Sequence, residues 1–417
     1  MKRKRVSGVL ILWLAGAVCM FFPSLLSAQE SGSRISFTGF VKTDAFFDTR
    51  NTVNAREGHF ALYPAPELLD EDGEDLNENT QFNMLSIQTR LTGRITGPDA
   101  FGAKTSGMLE GAFFGATNAN INTFRLRHAF VKLDWEESDI DMIVGQYWHP
   151  MFVPANFPGV VSFNTGVPFQ PFSRNPQLRF TYSPGPVSVL FAAMSQRDFA
   201  SPGGSASLRN SGIPNLHTQL QVDLGGHVAG IGVDFKRLDV DPDSLEPVNS
   251  TAALAHLRLN AGSASLKLFG MLGQNMTDHL MLGGLAQQDP GVPGNIPTNQ
   301  LPEVYPTNLT SVWGELSSGF RGDSGDIQRE VGLFVGYTKN LGADEDDLIP
   351  VAGTRSPDID RVLRFSPRFQ LQSGNVRFSA EVEYTVAEYG ELQPDFSVEE
   401  TSTADNLRVL LAAYLFF

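Results

Sequence analysis

The chain has 417 residues, 31 Lys+Arg against 46 Asp+Glu, a formal net charge of −15 and one Cys. Removing residues 1–28 takes four basic residues with it, leaving 27 against 46, or −19. That balance excludes a nucleic-acid-binding protein and a protein held on an anionic membrane by charge alone. With Cys19 inside the removed segment no disulfide is expected, so the fold is not a small bridge-stapled secreted domain.

Residues 1–28 read as a secretory signal peptide: a basic head from Lys2 to Arg5, an apolar run from Val6 to Phe22, then Pro23 and a small residue at Ala28. No later window holds 18 uncharged apolar residues, so no transmembrane helix is expected. From Ile35 onward the dominant period is two. Ile35, Phe37, Gly39, Val41, Ala45 and Phe47 share one face, while Ser36, Thr38, Lys42, Asp44 and Asp48 share the other. Leu85, Ile87, Leu91 and Ile95 alternate with Ser86, Gln88, Arg90, Thr92 and Arg94. The pattern recurs through Val187–Ala193, Leu216–Asp223, Ala229–Lys236, Leu257–Leu268, Val331–Tyr337, Leu363–Leu371 and Val376–Tyr384, giving about sixteen segments of roughly ten residues, the length a tilted strand needs to cross a bilayer.

The connectors alternate long and short. Asn51–Gln81, Gln146–Pro176, Asp198–Asn215, Asp239–Asn249, Asn275–Thr307, Asn340–Pro357 and Gly390–Thr403 are the long ones. Between them fall tight turns such as Pro184-Gly185-Pro186 and Ser373-Gly374-Asn375. This is the layout of an all-β transmembrane antiparallel barrel with long extracellular loops and short periplasmic turns, a single domain over 29–417 in the bacterial outer membrane. The apolar face meets lipid and the polar face lines a water-filled lumen. Trp135, Tyr147, Trp148, Tyr182 and Tyr337 fall near strand ends, where interface girdles lie. In Thr123–Trp135, the phase that sends Ala129, Val131, Leu133 and Trp135 outward also sends Arg125 and Arg127 outward. A bulge, a rim position or a subunit interface would accommodate them.

The expected pore-lining charges are Lys42, Asp44, Arg90, Arg94, Glu110, Arg179, Lys236, Arg258, Lys267, Arg364, Arg368, Arg377, Glu381, Glu383 and Arg408, with Asp223, Asp234, Glu315 and Glu330 on the same faces. Arg364, Arg368 and Arg377 on adjacent strands would either cluster to steer small anions or belong to a generic polar wall of paired charges. The Phe- and Pro-rich stretch 146–177 is expected to fold into the barrel as a constricting third loop, with an interface to another subunit as the competing reading. Phe152, Phe157, Phe163, Phe169, Phe172 and Arg174 would narrow the pore. The acidic run at 67–78 reads as a solvated loop with no recognisable ligand spacing, and Asp239, Asp241, Asp243 and Glu246 make a poor calcium loop with Pro242 between them. Gly322-Asp323-Ser324-Gly325 matches a serine-nucleophile surround but sits where turn residues are expected. The seven His show no metal spacing, and no cofactor or catalytic residue is predicted.

Phe124-Arg125-Leu126-Arg127-His128-Ala129-Phe130-Val131, followed by Gly145-Gln146 leading into a Pro-rich loop, resembles the DcaP-like porins of Gram-negative bacteria and, more distantly, the phosphate-selective porins. The resemblance implies a sixteen-stranded homotrimeric channel with its third loop folded inward, admitting small solutes, often anions such as dicarboxylates. Two departures are a wall with only eleven basic charges to eight acidic and the lack of a helical segment before the first strand. The C-terminal run Asn406–Phe417 reads as the closing strand, with Phe417 as the signal read by the barrel-assembly machinery. The function this implies is passive diffusion of small hydrophilic solutes. Alternatives from other classes are a barrel hydrolase acting on lipid or peptide and a surface interaction barrel.

Overall fold

A computed structural model describes residues 32–115, 117–321 and 327–417. The signal-peptide segment and Gly322-Asp323-Ser324-Gly325 lie outside the described residues. The chain forms a closed sixteen-stranded antiparallel barrel in which each strand pairs with its neighbours in sequence. The strands are β1 (Arg34–Asp48), β2 (in two pieces, Gln81–Leu85 and Arg90–Thr96), β3 (Lys104–Ala112), β4 (Arg125–Trp135), β5 (Ile140–Trp148), β6 (Arg174–Tyr182), β7 (Val187–Met194) and β8 (Asn215–Leu224). They continue as β9 (His227–Leu238), β10 (Val248–Ala261), β11 (Ala264–Gln274), β12 (Asn308–Arg321), β13 (Ile327–Asn340), β14 (Ile359–Ser373), β15 (Val376–Leu392) and β16 (Val398–Phe416). β16 closes the barrel on β1, in a register running from Phe40↔Phe416 to Asp48↔Arg408. Beyond it, Phe417 and Gly39 exchange backbone hydrogen bonds of 2.9 and 3.1 Å. Closure leaves the barrel sheet itself with no edge to pair elsewhere.

The period-two reading sets the faces. Phe37, Val41 and Phe47 are exposed on the outside, and Lys42, Asp44 and Asp48 are buried inside. The same holds on β16, where Leu407, Val409, Leu411 and Leu415 face out. Its inward residues are more apolar than a wet lumen requires, and the interior accounts for this. Leu410 and Ala412 pack with Phe46 and Val161, while Tyr414 stacks on Phe416 beneath Lys42 and Arg377.

Three local expectations change. Ile87 falls in the break between the two pieces of β2 and turns inward, so it is buried rather than outward-facing. Trp148 also lies inside, stacked on Phe152 at 3.9 Å, and is not part of an outer girdle. Gly390–Thr403 is not a long loop. β15 and β16 continue pairing to Glu391↔Glu399 and Leu392↔Val398, and the connector is the turn 393–397. Above the outer apolar band both faces are polar, so the alternation fades although the ladder does not.

The question of Arg125 and Arg127 is answered by a bulge. The β3–β4 register shifts between Glu110↔His128 and Gly111↔Leu126, leaving Arg127 as the extra residue. The shift places Arg127 and His128 both in the interior and leaves Leu126 and Val131 outside.

Candidate functional site in the barrel lumen

The third loop, L3, runs from 149 to 173, shorter at both ends than the expected 146–177 because Gln146–Trp148 extend β5 and Arg174–Gln177 open β6. Arg174 is therefore a wall residue rather than a loop residue. L3 crosses the interior and is held by its backbone. Arg258 Nη1 on β10 donates to the Ala155 carbonyl at 2.7 Å, and Lys267 Nζ on β11 to the Phe157 carbonyl at 3.0 Å. The Gly159 N–H donates to Glu315 on β12. On β15, the Glu381 carboxylate accepts the Val161 N–H at 2.6 Å and the Ser162 N–H at 2.9 Å, while Glu383 accepts Asn164 Nδ2 at 2.6 Å. Lys42 Nζ on β1 donates to the Val161 carbonyl at 2.8 Å. Arg364 on β14 donates to the Val167 carbonyl at 2.9 Å and, through its other nitrogen, to the Leu62 carbonyl of the first long loop at 2.6 Å. A loop with no sheet partner must satisfy its backbone groups elsewhere, and here wall charges do so. Six of the fifteen expected pore-lining residues, Lys42, Arg258, Lys267, Arg364, Glu381 and Glu383, thus serve as anchors for L3.

The loop's phenylalanines mostly pack rather than project. Phe152, Phe163, Phe169 and Phe172 are all buried, and Phe157 alone of the five is exposed. Phe172 meets Phe60, Trp148 and Phe152, and Phe163 meets Phe60 and Phe114. Phe60 belongs to a hairpin, Thr52–Ala55 with Phe60–Pro64, by which the first long loop also enters the barrel. Phe169 sits against Gly336 of β13 so closely that a Cβ there would overlap its ring. Gly336→Val should displace Phe169 and loosen L3, at a cost of about 1–3 kcal/mol. Thermal unfolding in detergent checks it, and an unshifted transition would contradict this close packing.

Opposite these anchors lies a group the sequence reading resolved in part. Arg90, Arg125, Arg127 and Arg174 come from β2, β4 and β6, and Arg56 from the first loop. The acids among them are Glu110, 2.7 Å from Arg127 Nε and 3.7 Å from Arg90, and Asp198, 2.7 Å from Arg174 and paired with Arg125. Five cations against two acids leaves +3. Arg56 donates to the Gly115 carbonyl at 2.8 Å and lies over the rings of Phe114, Phe60 and Phe163, with no carboxylate in contact among the described residues. Burial, with Arg125 and then Arg174 nearby, holds its guanidinium down to about 9. Burial pushes the Asp198 carboxyl up, but Arg174 and Arg125 outweigh it and hold it below the ordinary carboxylate value. Nη1 of Arg125, Arg127 and Arg174 and Nε of Arg90 are buried without a hydrogen-bond partner among the described residues. Buried donors of this kind favour an oxygen-rich anion. The Arg-rich strand of β4 was the sequence's signal for this group, whereas nothing in the sequence connects Arg56 or Asp198 to it.

Beneath L3, towards the short-turn end, a cavity of about 350 Å³ is lined by Arg258, Lys267, Arg368 and Arg377 with Glu315 and Glu330. Arg368 lies 3.2 Å from Glu315 and 2.9 Å from Glu330. The expected trio is thereby split: Arg368 and Arg377 share this cavity, while Arg364 is buried above it among Thr385, Glu383 and the loop carbonyls. Arg408 chelates Asp48 at 2.9 and 2.7 Å, Arg179 donates to the Trp148 carbonyl, Lys236 pairs with Asp278 of the loop after β11, and Arg94 is exposed. In the acidic run, Asp70 accepts the Asp72 and Glu74 N–H groups and Asp75 accepts those of Leu68 and Asn77 and pairs with Arg50, so these carboxylates organise their own loop.

No protein-family model matches the sequence, and no curated protein matches it either. Solved structures do match in fold. The outer membrane channel DcaP of Acinetobacter baumannii aligns with a TM-score of 0.66 at 15% identity, covering 93% of this chain and 99% of that one. An anion-selective porin from Comamonas acidovorans aligns at 0.56 and 11% identity, covering 93% and 100%. OmpT, an outer membrane protein of Vibrio cholerae, aligns at 0.54 and 9%, covering 93% and 99%. At these identities the likeness is one of fold.

Proposed function

We propose that this barrel is an outer-membrane porin through which small hydrophilic solutes diffuse passively, with a preference for small anions such as dicarboxylates. The observation that carries the reading is the arginine group, with its excess of +3 and its unpaired buried donors facing the interior beside L3. Electrostatics of one sign raises the local concentration of ions of the other. A solute drawn in at the loop end passes along this group and leaves through the basic-rimmed cavity below L3. The channel fold of the A. baumannii and C. acidovorans proteins supports the same reading. So does an outer face of Phe, Leu, Val and Ile residues suited to lipid. With two loops packed into the interior, single-channel conductance should be small. The chain works as a homotrimer after export and removal of residues 1–28, and no covalent step is involved.

Planar-bilayer recording with reversal potentials in a salt gradient tests this. Discrete channels with anions more permeant than cations are expected, and reconstituted protein giving no channels would refute it. Assembly has its own test. Phe417 is exposed at the closing seam and is read by the assembly machinery in this proposal, so its deletion should lower the amount of folded protein in the outer membrane. Unchanged levels would remove that role.

A further inference from the structure

His149 at the root of L3, His217 on β8 and Asp234 on β9 are far apart in sequence and show no metal spacing, yet the fold brings their side chains together inside the barrel. His149 Nε2 lies 3.4 Å and His217 Nδ1 3.2 Å from the same oxygen, Asp234 Oδ2, and the three atoms are within 4.8 Å of one another. All three residues are buried. Bonds of about 2.0–2.1 Å in a tetrahedron give edges of about 3.3–3.4 Å. Two edges already have that length, and a small closing of the two rings supplies the third.

The surroundings suit metal ligation. Asn215 Nδ2 donates to the other Asp234 oxygen at 2.8 Å and fixes the carboxylate. His217 Nε2 faces Gln219 Oε1 at 3.3 Å, so a ring bound through Nδ1 has an acceptor for its remaining proton. His279, from the loop after β11, stands edge-on to His149 with ring centroids 4.5 Å apart, and its Nδ1 is buried without a partner. Asp278 and Lys236 beside it neutralise each other at 2.5 Å. His149 Nδ1 accepts the Met151 N–H at 3.2 Å and its Nε2 faces Asn215 Oδ1 at 3.3 Å, so binding at Nε2 moves that ring's proton and gives up both long bonds.

We propose that His149, His217 and Asp234 hold a divalent transition-metal ion of the Zn²⁺ type, fastening the root of L3 to β8 and β9. Two imidazoles and a carboxylate favour Zn²⁺ or Co²⁺ over Ca²⁺ or Mg²⁺, and three protein ligands leave one coordination position open. Because the ligands are buried, the ion enters as the barrel folds.

The test uses the full mature chain without a polyhistidine tag, refolded into detergent with Co²⁺ and passed over chelating resin. One Co²⁺ per chain with the intense visible bands of tetrahedral cobalt is expected. His217→Ala and His149→Gln should each weaken Co²⁺ binding by at least about 100-fold, more than the loss of an outer hydrogen-bond partner would. His149→Gln lies outside the strands, so it carries the test if His217→Ala does not refold. Wild-type protein that retains no Co²⁺ would overturn the proposal. Co²⁺ that both the wild type and the variants retain equally, or with the weak bands of six-coordinate cobalt, would also overturn it, since that describes binding by the exposed acidic loops. Conductance in chelator reads the porin function separately, so the metal site can fail while the channel stands.

Discussion

Replacing Arg364 with alanine should raise single-channel conductance and destabilise the protein by about 3–5 kcal/mol, the range for removing one partner of a buried charge pair. The guanidinium holds two loops at once. It donates to the Leu62 carbonyl of the first loop and the Val167 carbonyl of L3, to Thr385 Oγ1 at 2.9 Å on the neighbouring strand, and it lies 3.5 Å from Glu383 and over the Phe169 ring. Without it two carbonyls and a carboxylate are left buried with fewer donors, and both loops lose their tie to β14. The conductance change reports loop release, and chemical denaturation reports the energy. Arg364→Lys should fall between the two, because one ammonium on a flexible stem cannot replace the planar fork that spans both carbonyls. Conductance and its noise unchanged in Arg364→Ala would mean that the remaining anchors and the apolar packing hold the two loops without this tie.

The second large effect is on selectivity, and it has two arms of opposite sign. Arg56→Gln removes a cation that contacts no acid, lowering the arginine group from +3 to +2 without leaving a carboxylate unpaired. Asp198→Asn raises it to +4. One charge at about 8 Å in a water-like medium contributes about 0.5 kcal/mol. The charge acts with opposite sign on anions and cations, so the ratio of anion to cation permeability should fall roughly fivefold in the first variant and rise by a similar factor in the second, with both effects shrinking at high salt. Asp198→Asn also leaves Arg125 and Arg174 without their carboxylate, so it should be the less stable of the two. Reversal potentials that move the same way in both variants would show that this group does not set selectivity.

The barrel was legible because its physics is local. A strand with lipid-like surroundings on one side and a polar interior on the other writes a period of two, and Lys42, Asp44 and Arg408 could be placed inward from spacing alone. Legibility failed where that contrast is missing. The outermost part of the β15–β16 ladder, around Glu391, Glu399 and Glu400, has polar residues on both faces and reads as loop. It failed again at the β4 bulge, where one extra residue reverses the phase and only a charge in an apolar position betrays it. Interior roles were harder still. Glu381 and Arg364 look like pore charges in sequence, yet each is committed to the backbone of a loop some two hundred residues away along the chain. The convergence of Arg56, Asp198 and the three strands of arginine depends on how two loops enter the barrel, which no short-range pattern encodes.

The hydrogen bonds around Val161 bear on the order of assembly. Its carbonyl is held by Lys42 of the first strand, its N–H by Glu381 of the fifteenth, and its side chain packs on Leu410 and Ala412 of the sixteenth. The tip of L3 therefore straddles the seam where the two ends of the chain meet. The full receptor of Val161 does not exist while the sheet is still open, so the seating of this part of L3 completes after closure and acts as a latch across the join. A barrel whose last strand has not yet paired would hold L3 only by its anchors on β10 to β15, with the Val161 segment unseated until the ring is complete.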